Sequence, residues 1–533
     1  MPRSPWQAPG TPDILISMRF LKRLLPWFVI AAAFVVVVYI PDTGPERYTD
    51  LASLFSTERA RQGNTGYAVA VIRDGAIVYK EAFGTDGAGK TLGLDTSMYL
   101  GPSSEVLTGA LLYSMSLDGT LSMDDDVRSY LSWFPEVLRS RFSSTTGAES
   151  GPMNSLDGSV SLRILAAHAV GLNATQFASL ETDIEGLEAG DLDAGLFWKS
   201  RNAPGGITRS RLAYRILGKV IERAGQADFS DLLMERILIP MGMHGTTADP
   251  GTLKEVATGS GLFFGLSFPY ESRLPPVAAP ADGIVSTAGD MARFLMYVSS
   301  PPRSGGIKTL PAKAVSALYQ PILPGGGNGY GWRISEQGGA RLVFQGGSIE
   351  GFSSRIVMWP ERRAGIIILS SQGGAIQSNL VLPMLAGAAE KIMFEGSAPR
   401  LFPIARALAL LAVGSIVYLA SLCLQISGAF GWMRRLKDRC ESSGSNWRPW
   451  FAVLRTAGGI VVRAGLLYAV PRTVGWLTGT RSSLPDLFAQ EPGLSSVFVA
   501  ACCLGALRNI ARLTWIADSD LSLRRTGRGN RHN

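Results

Sequence analysis

Residues 24–40, LLPWFVIAAAFVVVVYI, run for seventeen positions without a charged side chain. A helix of ~20 such residues is the usual bilayer span, so this stretch is near the lower limit for crossing one. Arg19, Lys22 and Arg23 precede it, and no small-x-small cleavage site follows before Pro41. That arrangement predicts a retained anchor rather than a removed signal peptide. Met18 offers a second start site, which would leave the first seventeen residues as an extension. Beyond residue 400 three further apolar segments follow, at 402–426, 450–470 and 496–517. Arg455, Arg463, Arg508 and Arg512 interrupt the last two, so these either span or lie along the surface as amphipathic helices.

The basic residues sort the loops. Arg434, Arg435, Lys437, Arg439 and Arg448 fall between the second and third segments, and Arg524, Arg525, Arg528 and Arg531 follow the fourth. A four-span arrangement with both termini inside puts each basic cluster on the cytoplasmic side. It predicts a cytoplasmic stretch at 1–23, an anchor at 24–40, an extracytoplasmic domain at 42–400, and a span at 402–426. A basic cytoplasmic loop at 427–449 follows, then spans at 450–470 and 496–517 and a basic tail at 518–533.

Charge divides along the same line. Residues 42–400 contain 31 Lys and Arg against 36 Asp and Glu, whereas the rest of the chain contains 20 against 7. The overall charge of +8 therefore belongs to the membrane-flanking ends, and a nucleic-acid partner has no basic patch to use in the main domain. Cys423, Cys440, Cys502 and Cys503 all follow residue 400. The main domain thus has neither disulfides nor a cysteine-based metal site, and its residues call for no cofactor. Its roughly 360 residues suffice for a core without covalent staples.

Within that domain, YAVAVIRDGAIVYKEAFG (67–84) reads as two alternating strands around a turn at Arg73-Asp74-Gly75. GYGWRIS, ARLVFQG, SSRIVMWPE and AGIIILSS (329–371) predict three or four more. The interval is helical in pattern: SEVLTGALLYSMSLDG (104–119) repeats Leu107, Leu111, Leu112 and Met115 on one face and stops at Gly119. SLRILAAHAVGL, AYRILGKVIERAG, FSDLLMERILIPMGM and TAGDMARFLMYV continue it. The predicted fold class is α+β: an antiparallel sheet built from both ends of the domain, flanked by helices, with a helical subdomain inserted. The polar stretch 140–158 and the acidic stretch 181–193 read as solvated loops.

This order of segments resembles the serine β-lactamase and penicillin-binding protein superfamily, in particular its class C-like branch, over about residues 50–395. The resemblance rests on GPSSEVLTGALLYSMSLDGTLSMDDDVRSYL, VSLRILAAHAVGL, AYRILGKVIERAG with LLMERILIPMGM, DGIVSTAGDMARF against the family's Gly-Gly segment, and GYGWRI with FQGGSIEGFSSRIVMWPE. It implies a serine and lysine in Ser-x-x-Lys, a Tyr-x-Asn, and a Lys-Thr-Gly or His-x-Gly on an edge strand. In that chemistry the serine attacks an acyl carbon and a desolvated lysine one helical turn on accepts its proton.

Those positions are occupied differently here. The serine falls on Pro102 and the lysine on Glu105; the tyrosine and asparagine fall on Arg209 and Arg211; Gln345 stands where the strand histidine or lysine would be. Sliding the register makes Ser103 or Ser104 the nucleophile, but the residues three positions on are then Val106 and Leu107, which cannot act as bases. A triad would have to recruit His168 or His244, since His532 lies in the tail. Pro102 suits a first helical position and Glu105 a first turn, and an ion pair between Glu105 and Arg209 or Arg211 would balance the exchange.

Three functions remain open on these residues. One is a pseudoenzyme that binds an envelope ligand or a partner membrane protein at the inner membrane of a bacterial cell. Another is a divergent serine hydrolase, an esterase, peptidase or acyl transferase using Ser103 or Ser104. A third lets the spans carry the function as a scaffold or transport subunit, with Arg455 and Arg463 near one helix face.

Overall fold

The computed structural model describes residues 45–132, 160–169, 198–199, 208–209, 211–263, 266–302, 306–337, 340–420, 422–423, 450–478 and 492–529. Residues 24–40, the loops 140–158 and 181–193 and the basic loop 427–449 lie outside them, as does the side chain of Arg209. Two compact units result, one from residues 44–405 with 470–493, the other from 406–469 and 494–533 together with the N-terminal stretch.

The larger unit begins with α1 (Leu51–Arg61), whose N-cap Asp50 accepts a 2.7 Å bond from the Ser53 amide. Strands β1 (Gly66–Arg73) and β2 (Ala76–Gly84) follow. Asp74 and Gly75 between them have φ of 51° and 78°, the positive values a two-residue hairpin turn needs to follow the strand twist. Next come α2 (Ser104–Leu117), the short α3 (Leu162–Ala166) and α4 (Arg211–Gly225). A hairpin of β3 (Gly259–Phe263) and β4 (Leu266–Tyr270) precedes α5 (Ala288–Ser299). Strands β5 (Arg333–Gln337), β6 (Ala340–Ile349), β7 (Phe352–Trp359) and β8 (Ala364–Ser370), then α6 (Leu382–Glu395), close the unit.

One six-stranded antiparallel sheet in the order β5-β6-β7-β8-β1-β2 joins strands from both ends of the sequence. β7 and β8 are central, and every residue of β8 is buried, because helices cover both faces there. The helical interval packs on one face with α2 at its centre; positions 103–112 are buried without a break. Helix α5 is fastened by its own start: the N-cap Thr287 hydroxyl accepts the Asp290 amide at 3.1 Å. The Asp290 carboxylate in turn accepts Gly245 N at 2.7 Å and the Thr246 hydroxyl at 2.9 Å. The STAGD segment thus acts as a structural clasp. Helix α3 is shorter than its apolar run predicts, because the chain turns at His168 with φ 55°.

In the smaller unit, the helix Ser495–Thr514 is long and apolar enough to cross a membrane, while Ile404–Ala420 and Thr456–Val470 are shorter apolar helices. The predicted four spans are thus matched among the described residues by one helix that meets the length requirement. The stretch 450–470 is part of a longer helix, Trp450–Thr478, and Arg463 breaks its apolar window. The Arg463 guanidinium donates to the Gly459 carbonyl of its own helix at 2.7 Å, and its Nε lies so close to Gly505 that a Cβ there would sit 2.0 Å away. The arginine is therefore packed between helices that approach through glycine.

Two glycines set how closely α2 meets the segment before β5. A Cβ on Gly109 would lie 2.4 Å from the Tyr330 carbonyl, and one on Gly331, at φ 76°, would lie 2.1 Å from the Glu105 carbonyl. Both obstacles are backbone and cannot swing aside. Gly331→Ala combines left-handed strain with this clash and is expected to destabilise the protein by ~3 kcal/mol or more, read as a lowered melting temperature of the full chain in detergent. An unchanged melting temperature would show that the segment is not held against α2.

Candidate functional site

The site lies where the start of α2, the end of β6 and the first turns of α4 converge. A 3₁₀ turn, Gly101–Ser103, leads into α2. Gly101 takes φ 55° there, and Pro102 is half-buried with its ring against β6: a Cβ on Gly347 would meet Pro102 Cγ at 2.6 Å. The proline supplies a fixed φ at a position whose amide needs no helical partner.

Ser103 and Ser104 are both fully buried. Ser354 donates its hydroxyl hydrogen to the Leu100 carbonyl at 2.6 Å. The 2.7 Å contact between Ser103 Oγ and Ser354 Oγ therefore has Ser103 as donor. Ser104 Oγ accepts the Ile284 amide at 3.1 Å. Among the described residues, neither hydroxyl is hydrogen-bonded to a histidine, lysine or carboxylate.

Glu105 is also buried, at 4% exposure. Its Oε2 accepts a 2.6 Å bond from Gln345 Nε2 and lies 3.5 Å from His168 Nε2. The same amide nitrogen donates to the Gly331 carbonyl at 2.8 Å, and Gln345 Oε1 accepts the Gly346 amide at 3.2 Å. His168 lies over Tyr214 of α4, ring centroids 5.0 Å apart and planes 29° from parallel. Glu105 and Gln345 thus touch directly. Glu105 is in the first turn of the helix as expected, but it points into the interior rather than to solvent.

Arg211 does not pair with Glu105. Its Nη1 lies 3.0 Å from Asp282 Oδ2, and its Nη2 donates to the Ser348 carbonyl at 2.9 Å. Arg215, one helical turn on, brings Nη2 to 3.6 Å from Asp282 Oδ1. The carboxylate oxygens do not receive these N–H groups in hydrogen-bonding alignment, so the attraction is Coulombic, between groups that are buried apart from a fringe of Arg211. Asp282 is the residue that the sequence reading passed over. It occupies the first position of the segment compared with the family's Gly-Gly, and an aspartate in place of glycine inside DGIVSTAGD was the available signal. His244 is exposed on the turn after Met243, remote in role from this cluster. Arg355, opposite Gly346 in the β6–β7 register, faces the other side of the sheet. Burial pushes its guanidinium down to about 10, and it stands 4.2 Å over the Phe344 ring.

The sequence profile of the family described as Beta-lactamase matches residues 51–391, nearly two thirds of the chain. The chain belongs to the beta-lactamase family. Among curated relatives, "Unguisins hydrolase ungD'" of Aspergillus campestris is 23% identical over 365 residues, covering 63% of this chain and 64% of that protein. "Putative beta-lactamase-like 1" of Homo sapiens is 27% identical over 169 residues, covering 30% of this chain and 33% of that protein. The match therefore spans between a third and two thirds of these relatives' lengths. A solved D-alanine carboxypeptidase AmpC from Burkholderia cenocepacia is similar at 20% identity and a TM-score of 0.48, over 65% of this chain and 99% of that one.

Within this beta-lactamase-family site, Asp282 is the carboxylate that faces both Arg211 and Arg215 of α4, and its single charge offsets part of theirs. Asp282→Asn keeps the shape and removes the charge, and is expected to cost ~3–5 kcal/mol by leaving buried guanidinium groups uncompensated. A melting temperature equal to the parent's would remove Asp282 from that role.

Proposed function

We propose that this beta-lactamase-family domain binds a ligand or partner at the cell envelope and does not transfer acyl groups. The observation that carries this reading is the contact of Glu105 with Gln345. Acyl transfer in a Ser-x-x-Lys site needs a hydroxyl with a neighbouring base and a cation near the developing oxyanion. Here the helix supplies Pro102 and Glu105, and Gln345 on the strand donates its side-chain amide to the Glu105 carboxyl group. Arg211 fills the space beside the Ser348 carbonyl. The cluster works as an internal fastening between α2, β6 and α4, and the recognition surface is what remains around it.

Membrane attachment belongs to the same proposal: an anchor at 24–40, further apolar segments after residue 400, and a main domain outside the cytoplasm of a bacterial cell. The segregation of acidic and basic residues and the apolar helix Ser495–Thr514 support it. The partners proposed are the bilayer and an envelope ligand or a membrane protein.

Membership of a hydrolase family, together with a relative described as a hydrolase, favours a second reading, a divergent serine hydrolase using Ser103 or Ser104. Intact-mass analysis after treatment with a fluorophosphonate or a β-lactam separates the two. The expected result is no adduct on the full chain. A covalent adduct that disappears in Ser103→Ala or Ser104→Ala would establish hydrolase chemistry instead.

A further inference from the structure

The β3–β4 hairpin exposes an apolar face that the core does not need. The register pairs Phe263 with Leu266, Gly261 with Phe268 and Gly259 with Tyr270. Directly opposed residues share a face of an antiparallel pair, as do residues two apart on one strand. Phe263, Leu266, Phe268 and Tyr270 therefore all lie on one face, with Gly259 and Gly261 beneath them. Phe268 lies over Gly261, where a Cβ would come within 2.3 Å of its ring. All four side chains are exposed, Leu266 at 73%, and residues 259–270 contain no charge. A concentrated, uncharged aromatic face on a projecting hairpin is a contact surface rather than ordinary surface scatter.

The root of this hairpin sits close to the stretch 402–405, where the chain leaves the domain. Ser260 Oγ is 3.0 Å from Thr65 Oγ1 and donates to the Ser371 carbonyl at 2.7 Å. Two residues before Thr65, Gly63 packs on Ala405, a Cβ there falling 3.2 Å from the alanine's. Gln62 donates to the Phe402 carbonyl at 3.0 Å and accepts the Ile404 amide at 3.2 Å, where the apolar helix Ile404–Ala420 begins. At the N-terminal exit, Arg47–Tyr48 pairs with Ala398–Pro399, only a few residues after the apolar stretch 24–40. The chain's passage out of the domain at residues 402–405 thus lies close to the hairpin root.

We infer that the Phe263–Leu266–Phe268–Tyr270 face dips into the interfacial layer of the bilayer to which the chain is attached. The inference rests on the membrane attachment proposed above. Leu and Phe gain by entering the acyl boundary, and a tyrosine at its edge suits the headgroup level. Edge-to-edge pairing with a second copy fits the hairpin less well, because Pro269 withholds a donor from the β4 edge. The charges beside the hairpin are of both signs: Glu271, next to Tyr270, pairs with Arg273 at 3.3 Å, and Glu350 faces the Tyr270 hydroxyl. Insertion therefore depends on apolar area and is insensitive to salt.

The test uses the full chain with its four cysteines replaced by serine, reconstituted in phosphatidylcholine vesicles containing doxyl-labelled lipid. A single environment-sensitive fluorophore is placed through Leu266→Cys or, as control, Val78→Cys. Val78 is exposed on β2, six residues along from Gly84 at the Thr65 end, or roughly 20 Å away at the usual strand rise. The expected result is blue-shifted emission and at least about twofold stronger doxyl quenching at 266 than at 78, unchanged in high salt. Equal quenching at both positions in protein that resists carbonate extraction would overturn the hairpin contact alone. Release of the protein by carbonate would overturn the membrane attachment and the contact with it. Self-quenching of the 266 label that rises with the protein-to-lipid ratio would assign the face to a second copy.

Discussion

A buried carboxylate has to be solvated by the protein itself, and the way Glu105 is solvated governs the middle of this domain. One amide, that of Gln345, donates to both the Glu105 carboxylate and the Gly331 carbonyl. That single nitrogen joins α2, β6 and the segment entering β5. The close approach of Gly109 to Tyr330 and of Gly331 to Glu105 then becomes a geometric requirement, since a side chain at either glycine would move the helix away from the amide. His168 and Tyr214 extend the same contact to α4. A lysine at position 105 would present donors to the donor side of the Gln345 amide, so the two positions depend on each other.

Charge at the site is redistributed rather than lost. In the pattern the chain resembles, positive charge sits on the nucleophile helix and the edge strand. Here α2 carries Glu105, β6 carries a neutral amide, and the cations among the described side chains are Arg211 and Arg215 of α4. Asp282 meets both. The Arg211 guanidinium is tolerable in the interior because the Asp282 carboxylate lies 3.0 Å from it, and the reverse holds for Asp282. Such pairing leaves the packing of Ala213, Tyr214 and Ile216 into the core intact, so the domain keeps its fold while its polar interior follows a different logic.

Much of this was legible beforehand. The hairpin at Asp74-Gly75, the run of three or four closing strands, α2 ending before Gly119 and the sheet joining both ends of the domain follow from periodicity and turn chemistry, which are local. The grouping of Pro102, Glu105 and Gln345 was legible through the resemblance. Which partner each charge takes was not, because partner choice is set by tertiary distances that spacing does not encode. Arg211 was expected opposite Glu105 and instead lies against Asp282, which sits in a different segment some seventy residues on. Likewise, the apolar run SLRILAAHAVGL predicts a helix that continues past residue 166, whereas the left-handed turn at His168 is fixed by the histidine's place between Glu105 and Tyr214.

The aromatic hairpin and the interior cluster are mechanically adjacent. The Gly351 carbonyl accepts the Ser260 amide at 3.0 Å, fixing the hairpin root to the turn between β6 and β7. Three residues earlier on the same strand, Ser348 gives its carbonyl to Arg211, and three before that Gln345 holds Glu105. The end of β6 is thus bonded on one side to the charge cluster and on the other to the apolar hairpin. A displacement of the hairpin root by about 1 Å would be felt at the Ser348 carbonyl, because packed interiors transmit shifts with little compliance. The polar fastening of α2, β6 and α4 gives that strand end a fixed position, which is the physical condition for the hairpin to hold its aromatic face in a constant orientation.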